Sequence, residues 1–202
     1  MINIIGLGPG NEDYMTKLGE KLINSSEVLI GGKRNLETIK DFNGEKIELA
    51  SNLKDILDYI NTNDDKQISV IASGDPSIYG IGKYLSKNID NKKLNIVSGV
   101  SSIQYIFSKI CVDMNDLYIT SSHGKVPNFD YILSHKKVCM VTDNKIGPHE
   151  ISQEIIDRNL RKIVIVGENL SYSNENIIIS SPEEILKIDK FDMNVVVILD
   201  EE

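Results

Sequence analysis

Short apolar runs rich in isoleucine and valine recur along the first half of the chain, separated by amphipathic segments. Four of them have the length and residue types of buried strands, and they cover residues 2–7, 27–30, 68–72 and 94–97. Between them, apolar residues recur at helical spacing over residues 16–23, 53–60 and 78–85. This alternation predicts βαβ units around a largely parallel sheet.

The second half carries the same pattern but ends differently. Strands are predicted over residues 117–120, 138–142 and 163–166, and helices over residues 129–134 and 150–159. Two more strand-like runs, 176–179 and 194–199, are joined by a short helical turn over residues 182–186. A polar break at residues 114–116 separates the halves. We therefore predict an α/β fold of two α/β domains, 1–113 and 114–202, the second with a mixed sheet.

The composition is that of an ordinary folded protein. Of the 202 residues, 41% are hydrophobic and 26% are charged, which excludes a disordered or fibrous chain. No apolar run approaches the roughly 20 residues that a membrane-spanning helix needs. The N-terminus lacks the basic region of a secretory signal, and Cys111 and Cys139 form no C-x-x-C pair. We expect a cytoplasmic protein with a buried core thiol at Cys139 and no membrane partner.

The charge balance is acidic. The chain has 22 basic and 30 acidic residues, which gives a formal net charge of −8. Nucleic-acid binders gain much of their affinity by neutralising phosphates, so we expect no nucleic-acid partner. An anionic small molecule would have to be met by a local basic patch rather than by the whole surface.

A glycine-rich turn, residues 6–10, directly follows the first predicted strand. A dinucleotide-binding fingerprint starting at Gly6 would need glycine where Asn11 stands, and Pro9 removes an N–H that would face pyrophosphate. The G-K-[ST] sequence of a P-loop is also missing. Two interpretations remain open: a turn whose backbone approaches a ligand, or a tight strand exit without a ligand.

A second turn, Ser-Gly-Asp-Pro, follows the strand predicted over residues 68–72. Asp75 as a helix cap and Pro76 at the first helical position are common at helix starts, so a purely structural role is plausible. However, Gly74, Gly80 and Gly82 surround this start, where an amphipathic helix favours alanine or leucine. The glycines indicate that something packs closely against this backbone.

These two turns, together with Val-Ser-Gly-Val-Ser-Ser at residues 97–102, stand in the order and spacing typical of tetrapyrrole methylases. The chain resembles that family over essentially its whole length, although Ser98 replaces the proline usual in the third motif. Three further stretches resemble the subgroup of that family that methylates C5 of a cobalt-precorrin. They are residues 31–36, 122–125 and 167–170.

The resemblance implies the tetrapyrrole methylase fold, in which two α/β domains have a cofactor cleft between them. It implies an S-adenosylmethionine-dependent C-methyltransferase acting on C5 of a (cobalt-)precorrin in cobalamin synthesis. The implied cofactor contacts, mostly through the backbone, are Leu7, Pro9, Gly74, Asp75, Pro76, Ile78, Tyr79, Ser101, Ser102, Val141, Thr142 and Gly167. It also implies a homodimer, with any C15-methylating and decarboxylating activity supplied by a separate protein, because this chain ends at residue 202.

Alternatives from other classes stay open. The acceptor could be another precorrin carbon, a protein or ribosomal RNA, or the chain could be a non-catalytic S-adenosylmethionine-binding module. A different acceptor would keep the fold and change only the acceptor site. A non-catalytic module would bind the donor tightly without turning over any tetrapyrrole.

Local cations are needed because the implied tetrapyrrole carries several carboxylates. We expect Lys33 and Arg34, after the second strand, and His123 and Lys125, after the first strand of the second half, to bind it. Arg34 is preferred because a guanidinium holds a carboxylate bidentately. His123 is either a substrate contact or proton acceptor, or it makes a structural hydrogen bond. No histidine has a partner at metal-ligand spacing, so we predict no catalytic metal and assign no catalytic residue.

Overall fold

The computed structural model describes residues 1–49, 52–124 and 126–201. The chain divides into two compact units, Met1–Ser102 (unit 1) and Ile103–Glu202 (unit 2). The sequence pattern placed the division after residue 113, whereas residues 103–113 here belong with the second unit. In the described part of the chain, no helix combines the length and apolar character needed to cross a membrane.

Unit 1 is built on a five-stranded parallel sheet with the strand order β3-β2-β4-β1-β5. Its strands are β1 Ile2–Gly6, β2 Val28–Gly31, β3 Glu45–Glu48, β4 Ile68–Ala72 and β5 Leu94–Val97. Its helices are α1 Lys17–Asn24, α2 Lys33–Thr38, α3 Leu53–Thr62 and α4 Gly82–Asn88, with single 3-10 turns at Glu12–Tyr14 and Asn91–Lys93. The four predicted strands and the largely parallel sheet are confirmed, while β3 and α2 were not predicted.

Core clusters cover both faces of this sheet, which explains why its central strands are almost entirely apolar, apart from Asn3 and Ser69. All five residues of β1 and all five of β4 are buried. Successive side chains point to opposite faces, so Ile4 packs in one core cluster and Ile5 in the other. The sheet therefore packs against a core cluster on each face.

Unit 2 has a mixed sheet with the order β6-β7-β10-β8-β9. Its strands are β6 Tyr118–Ser121, β7 Lys137–Val141, β8 Lys162–Glu168, β9 Asn176–Ser180 and β10 Asn194–Asp200. Its helices are α5 Ser102–Lys109 (which starts at the last residue of unit 1), α6 Phe129–Leu133, α7 Pro148–Asp157 and α8 Pro182–Ile185. β6 and β7 are parallel, whereas β10 runs antiparallel to both β7 and β8 and β9 antiparallel to β8. The predicted mixed second sheet is confirmed.

One core cluster joins the unit 2 sheet to its helices. Val138, Met140 and Val196 from the strands pack with Ile151 and Ile155 of α7, all of them fully buried. Cys139 alternates with these core residues along β7 and is also fully buried, which confirms the predicted core thiol. Burial raises the pKa of this thiol far above its usual value because the thiolate would lose its hydration.

Candidate functional site

In unit 1, the connections that leave the neighbouring strands β1 and β4 run in opposite directions. β1 and β4 are neighbours, with Gly6 opposite Ala72. From β1 the chain goes to β2, beyond β4, whereas from β4 it goes to β5, on the other side of β1. In open parallel sheets, ligands bind outside the carboxyl ends of strands at such a point. The first two predicted glycine turns follow these two strands.

The two turns are hydrogen-bonded to each other. The Gly74 N–H donates to the Gly8 carbonyl oxygen at 2.7 Å, and the Gly8 N–H donates to the Gly74 carbonyl oxygen at 3.4 Å. Gly8 has φ +94° and Gly74 has φ +63°, left-handed conformations that glycine adopts without the steric cost that other residues bear. Backbone from both turns is therefore joined at the carboxyl edge of the sheet.

The third glycine motif packs onto the same backbone. A Cβ atom on Gly99 would lie 2.2 Å from the Gly74 carbonyl oxygen, and one on Gly6 would lie 2.6 Å from the Gly99 nitrogen. Neither position has room for a side chain. We call the three joined turns, residues 6–10, 73–79 and 98–102, the glycine platform. What packs against these glycines is the backbone of the other turns.

The structure corrects the predicted start of the helix at residues 78–85. The Asp75 carboxylate accepts the Ser77 N–H at 2.7 Å and so closes a turn instead of capping a helix, and Pro76 is not a first helical residue. The helix, α4, begins only at Gly82. The reason is Tyr79, whose left-handed φ of +51° interrupts the helical backbone.

The residues assigned to the methyl donor in unit 1 differ in accessibility. Leu7, Pro9, Pro76 and Ser101 are buried, and Leu7 belongs to the hydrophobic core. The surface of the platform is provided by the remaining members, which are half-buried or exposed: Gly74, Asp75, Ile78, Tyr79 and Ser102. Tyr79 combines a strained backbone conformation with a side chain that is 53% exposed. Strain of about 1–3 kcal/mol at such residues is common at ligand sites.

A cation from another strand end reaches the platform. Lys33 and Arg34 lie exposed at the start of α2, after β2, which neighbours β4. Arg34 Nη2 donates to Ser73 Oγ at 3.2 Å, and this hydroxyl donates to Asn35 Oδ1 at 2.8 Å. Ser73 directly precedes Gly74, so the structure brings Arg34 next to the predicted donor turn. Sequence reasoning had not assigned a role to Ser73 or Asn35.

In unit 2, a cleft of about 780 Å³ opens at one edge of the mixed sheet. It is lined by His123 after β6, by residues 142–144 and 147–150 around the start of α7, and by residues 189–194 leading into β10. The predicted residues His123 and Thr142 therefore meet in one cleft. Val141 is the last residue of β7, next to Thr142.

Gly167 lies inside β8 rather than in a turn. It is opposite Val195 in the antiparallel ladder with β10. A Cβ atom there would lie 2.8 Å from Ile106 Cδ1 and 2.9 Å from Leu170 Cδ2, so the side chains around it would have to move to admit alanine. Its lack of a side chain is thus required by packing within unit 2.

His123 is held by its neighbour Ser121. The His123 N–H donates to Ser121 Oγ at 3.1 Å, and the ring Nδ1 lies 3.2 Å from the same oxygen. The imidazole itself is exposed at the cleft. Asp143 lines the same cleft, and its pKa is lowered because its carboxylate accepts the N–H groups of Ile146 and Lys145. Lys125, the other predicted cation here, lies outside the described residues.

Sequence reasoning missed the segment that precedes β10. Thr142 Oγ1 lies 2.8 Å from the carbonyl oxygen of Asn194 and 2.9 Å from its side-chain oxygen. Met193 is 48% exposed beside it in the cleft. A sequence signal for this segment is the Gly-Glu-Asn stretch at residues 167–169, because Glu168 and Asn169 are hydrogen-bonded to Asp192. Within residues 1–49, 52–124 and 126–201, no three His, Cys, Asp or Glu side chains converge as metal ligands would.

Unit 1 thus carries joined glycine turns at the carboxyl ends of its parallel strands, and unit 2 carries a cleft lined by polar side chains. The chain belongs to the tetrapyrrole (corrin/porphyrin) methylases, whose family model matches residues 1–186. A cobalt-precorrin-7 C(5)-methyltransferase of Salmonella typhimurium is 39% identical over 202 residues, which is 100% of both chains.

Two solved structures show the same fold. A precorrin-6Y methylase from Archaeoglobus fulgidus superposes with a TM-score of 0.77 at 21% identity, over 100% of this chain and 98% of that one. A uroporphyrin-III C-methyltransferase from Thermus thermophilus, in complex with S-adenosylhomocysteine, superposes with a TM-score of 0.80 at 15% identity. That match covers 98% of this chain and 91% of the other.

Proposed function

We propose that this protein is an S-adenosylmethionine-dependent methyltransferase that methylates C5 of a cobalt-precorrin during cobalamin biosynthesis. The observation that carries the proposal is the full-length, 39% identity to the Salmonella cobalt-precorrin-7 C(5)-methyltransferase. Support also comes from the joined glycine turns of unit 1 and the polar cleft of unit 2, which offer backbone and side-chain groups for ligand contacts.

The glycine platform fits a donor that is bound mainly through backbone groups. A Cβ atom on Gly74 would lie 3.5 Å from Ser101 Cα, an ordinary contact distance, so the neighbouring residues do not crowd this position. Asp75 provides a carboxylate beside it, suited to a positively charged sulfonium or ammonium group. The S-adenosylhomocysteine bound to the Thermus neighbour supports the choice of donor. From the family resemblance we also propose donor contacts within unit 2, at Val141, Thr142 and Gly167.

S-adenosylmethionine supplies a methyl group that is already activated for attack by an electron-rich carbon. The residues of this chain then have to align the acceptor carbon with that methyl group and keep both in place. Alignment alone can lower the barrier by about 7–11 kcal/mol. His123, exposed at the unit 2 cleft and held by Ser121, is our candidate to accept a proton after transfer.

Carboxylates of the acceptor require cations on a protein whose net charge is −8. Arg34 is the principal candidate, because Ser73 holds its guanidinium beside the platform. Lys33 and Lys125 complete the proposed set of cations, and His123 is proposed as a further contact of the acceptor. We further propose a cytoplasmic homodimer, with the C15-methylating and decarboxylating activity on a separate protein.

Calorimetric titration with S-adenosylhomocysteine tests the donor assignment, with NAD as the control ligand. We expect a dissociation constant in roughly the micromolar range for S-adenosylhomocysteine, about −8 kcal/mol, and no heat with NAD. Failure of folded protein to bind S-adenosylhomocysteine would contradict the proposal.

Turnover then separates an enzyme from a binding module. Incubation with S-adenosylmethionine and cobalt-precorrin-7 should yield a singly methylated product, with the new methyl group on C5 by NMR. Donor binding without methylation of any precorrin would instead favour the non-catalytic module. Methylation at another carbon would favour the alternative acceptor.

A further inference from the structure

Three residues before and at the start of β10 form a segment that other strand ends hold in place. We call Asp192, Met193 and Asn194 the 192–194 segment. It lines the unit 2 cleft, and Asn194 lies within hydrogen-bond distance of Thr142 Oγ1. The first residue of β10 is thereby joined to the end of β7, at a residue we assign to the methyl donor.

A buried carboxylate at the end of β8 fixes the start of this segment. Glu168 is only 8% exposed. Its Oε1 accepts the Asp192 N–H at 2.6 Å, and its Oε2 accepts the Asn176 side-chain amide at 2.9 Å. Both carboxylate oxygens are therefore engaged, one by the segment and the other by β9. Glutamate is rarely buried unless it is paired in this way.

Asn169, the residue after Glu168, adds two hydrogen bonds to the 192–194 segment. Its backbone N–H donates to the Met193 carbonyl oxygen at 2.9 Å, and its side-chain amide donates to Asp192 Oδ2 at 2.9 Å. Asn169 reaches them from a left-handed conformation with φ +46°, which asparagine tolerates better than most residues. The side chain of Asn194 in turn donates to the Asp192 carbonyl oxygen at 2.7 Å.

We propose that Glu168 is a positioning residue that holds the 192–194 segment in the conformation that the methyl donor requires. Glu168 touches no ligand in this scheme, and it acts through the segment on Thr142 and the cleft. The chemistry favours a carboxylate, because both of its oxygens accept hydrogen bonds while an amide offers one oxygen. This inference rests on the proposed function, since the ligand of the cleft is taken to be S-adenosylmethionine.

Substitutions at residue 168 test the inference by calorimetry with S-adenosylhomocysteine. Glu168→Ala removes the acceptor for the Asp192 N–H, so we expect at least about a tenfold weaker binding. Glu168→Gln keeps one acceptor oxygen and should restore part of the affinity. Glu184→Ala, which removes an exposed glutamate of unit 2 paired with Lys187, is the matched control and should bind as the wild type does.

A second variant guards against loss of folding. Asp192→Ala removes only the exposed side chain that accepts from Asn169, and we expect about threefold weaker binding. In steady-state assays, both Glu168→Ala and Asp192→Ala should raise the KM for S-adenosylmethionine more than they lower kcat. A purely structural role would lower the thermal midpoint and leave the affinity of the folded fraction unchanged.

The outcomes distinguish the two proposals. If the wild-type protein fails to bind S-adenosylhomocysteine, the proposed function is wrong. If the wild type binds it and Glu168→Ala binds it equally well, the positioning role of Glu168 is wrong and the proposed function stands. Weaker binding of the precorrin alone, with unchanged donor binding, would also overturn the inference, because the segment would then serve the acceptor.

Discussion

Glycine is required at Gly6 and Gly99 because backbone of the platform lies too close for a side chain, whereas at Gly74 it is favoured by the backbone conformation. In the sequence, both glycines suggest a backbone that lies close to a ligand. In the structure, each lies against backbone of the platform, with room for no Cβ atom. Gly74 differs, because its left-handed φ of +63° favours glycine, while a Cβ atom there would make only ordinary contacts, the nearest 3.5 Å from Ser101 Cα. A glycine in the sequence cannot tell these cases apart.

Arg34 is the side chain that we expect to bind a carboxylate of the precorrin. Arg34→Ala should raise the KM for the precorrin by about tenfold or more, because a charged hydrogen-bond donor to a carboxylate is lost. The change in kcat should be smaller, since docking and not the transition state is affected. Steady-state kinetics checks this, with Arg161→Ala, an exposed arginine of unit 2, as the control. A fall in kcat at unchanged KM would instead give Arg34 a transition-state role.

At the scale of elements, the pattern of apolar residues predicted the strands well wherever they are buried. It missed β3, which has the sequence Glu-Lys-Ile-Glu and a single apolar residue, because this edge strand is mostly exposed. It also missed α2, which has six residues and a glycine N-cap without a side-chain hydrogen bond. Such elements depend on contacts with residues that are distant in the sequence, and the spacing of apolar residues does not predict these contacts.

Lys46 of β3 provides such a contact. Its ammonium donates to the carbonyl oxygens of Leu36 and Ile39 at the end of α2, the helix that carries Arg34. Lys46→Met should lower the free energy of unfolding by about 1–2 kcal/mol, because these carbonyls lose a charged donor. Urea denaturation measures the change, with the exposed Lys40→Met as the matched control. Equal stability of the two variants would show that α2 does not depend on this contact.

At the scale of the whole molecule, the two units have separate cores, and Cys139 reports on the core of unit 2. Because burial raises the pKa of its thiol, the reactive thiolate is depleted at neutral pH as long as unit 2 is folded. Cys111 is exposed. Alkylation followed by mass spectrometry should therefore modify Cys111 in the native protein and Cys139 only on unfolding. Equal labelling rates under native conditions would contradict the fully buried position of Cys139.

The net charge of −8 also acts at this scale. It is a sum over the chain, so it shows an acidic balance but not where single cations lie. The structure supplies that information for Arg34, which lies beside Ser73 at the platform. The structure also gives the location of His123, which lies at the unit 2 cleft. These two positions define where a cation and an imidazole lie within each unit.

The sequence by itself determined the α/β class, the buried strands, the mixed second sheet and the family, because propensity, periodicity and motif order are local properties of a chain. Only the tertiary structure decided which distant residues meet. Strand order brings Gly8 to Gly74, and Arg34 to Ser73, 39 residues further along the chain. Strand register brings Glu168 to the loop before β10, where it accepts the N–H of Asp192, 24 residues away. Hydrogen bonds form between neighbours in space, and that neighbourhood exists only once the sheets have assembled.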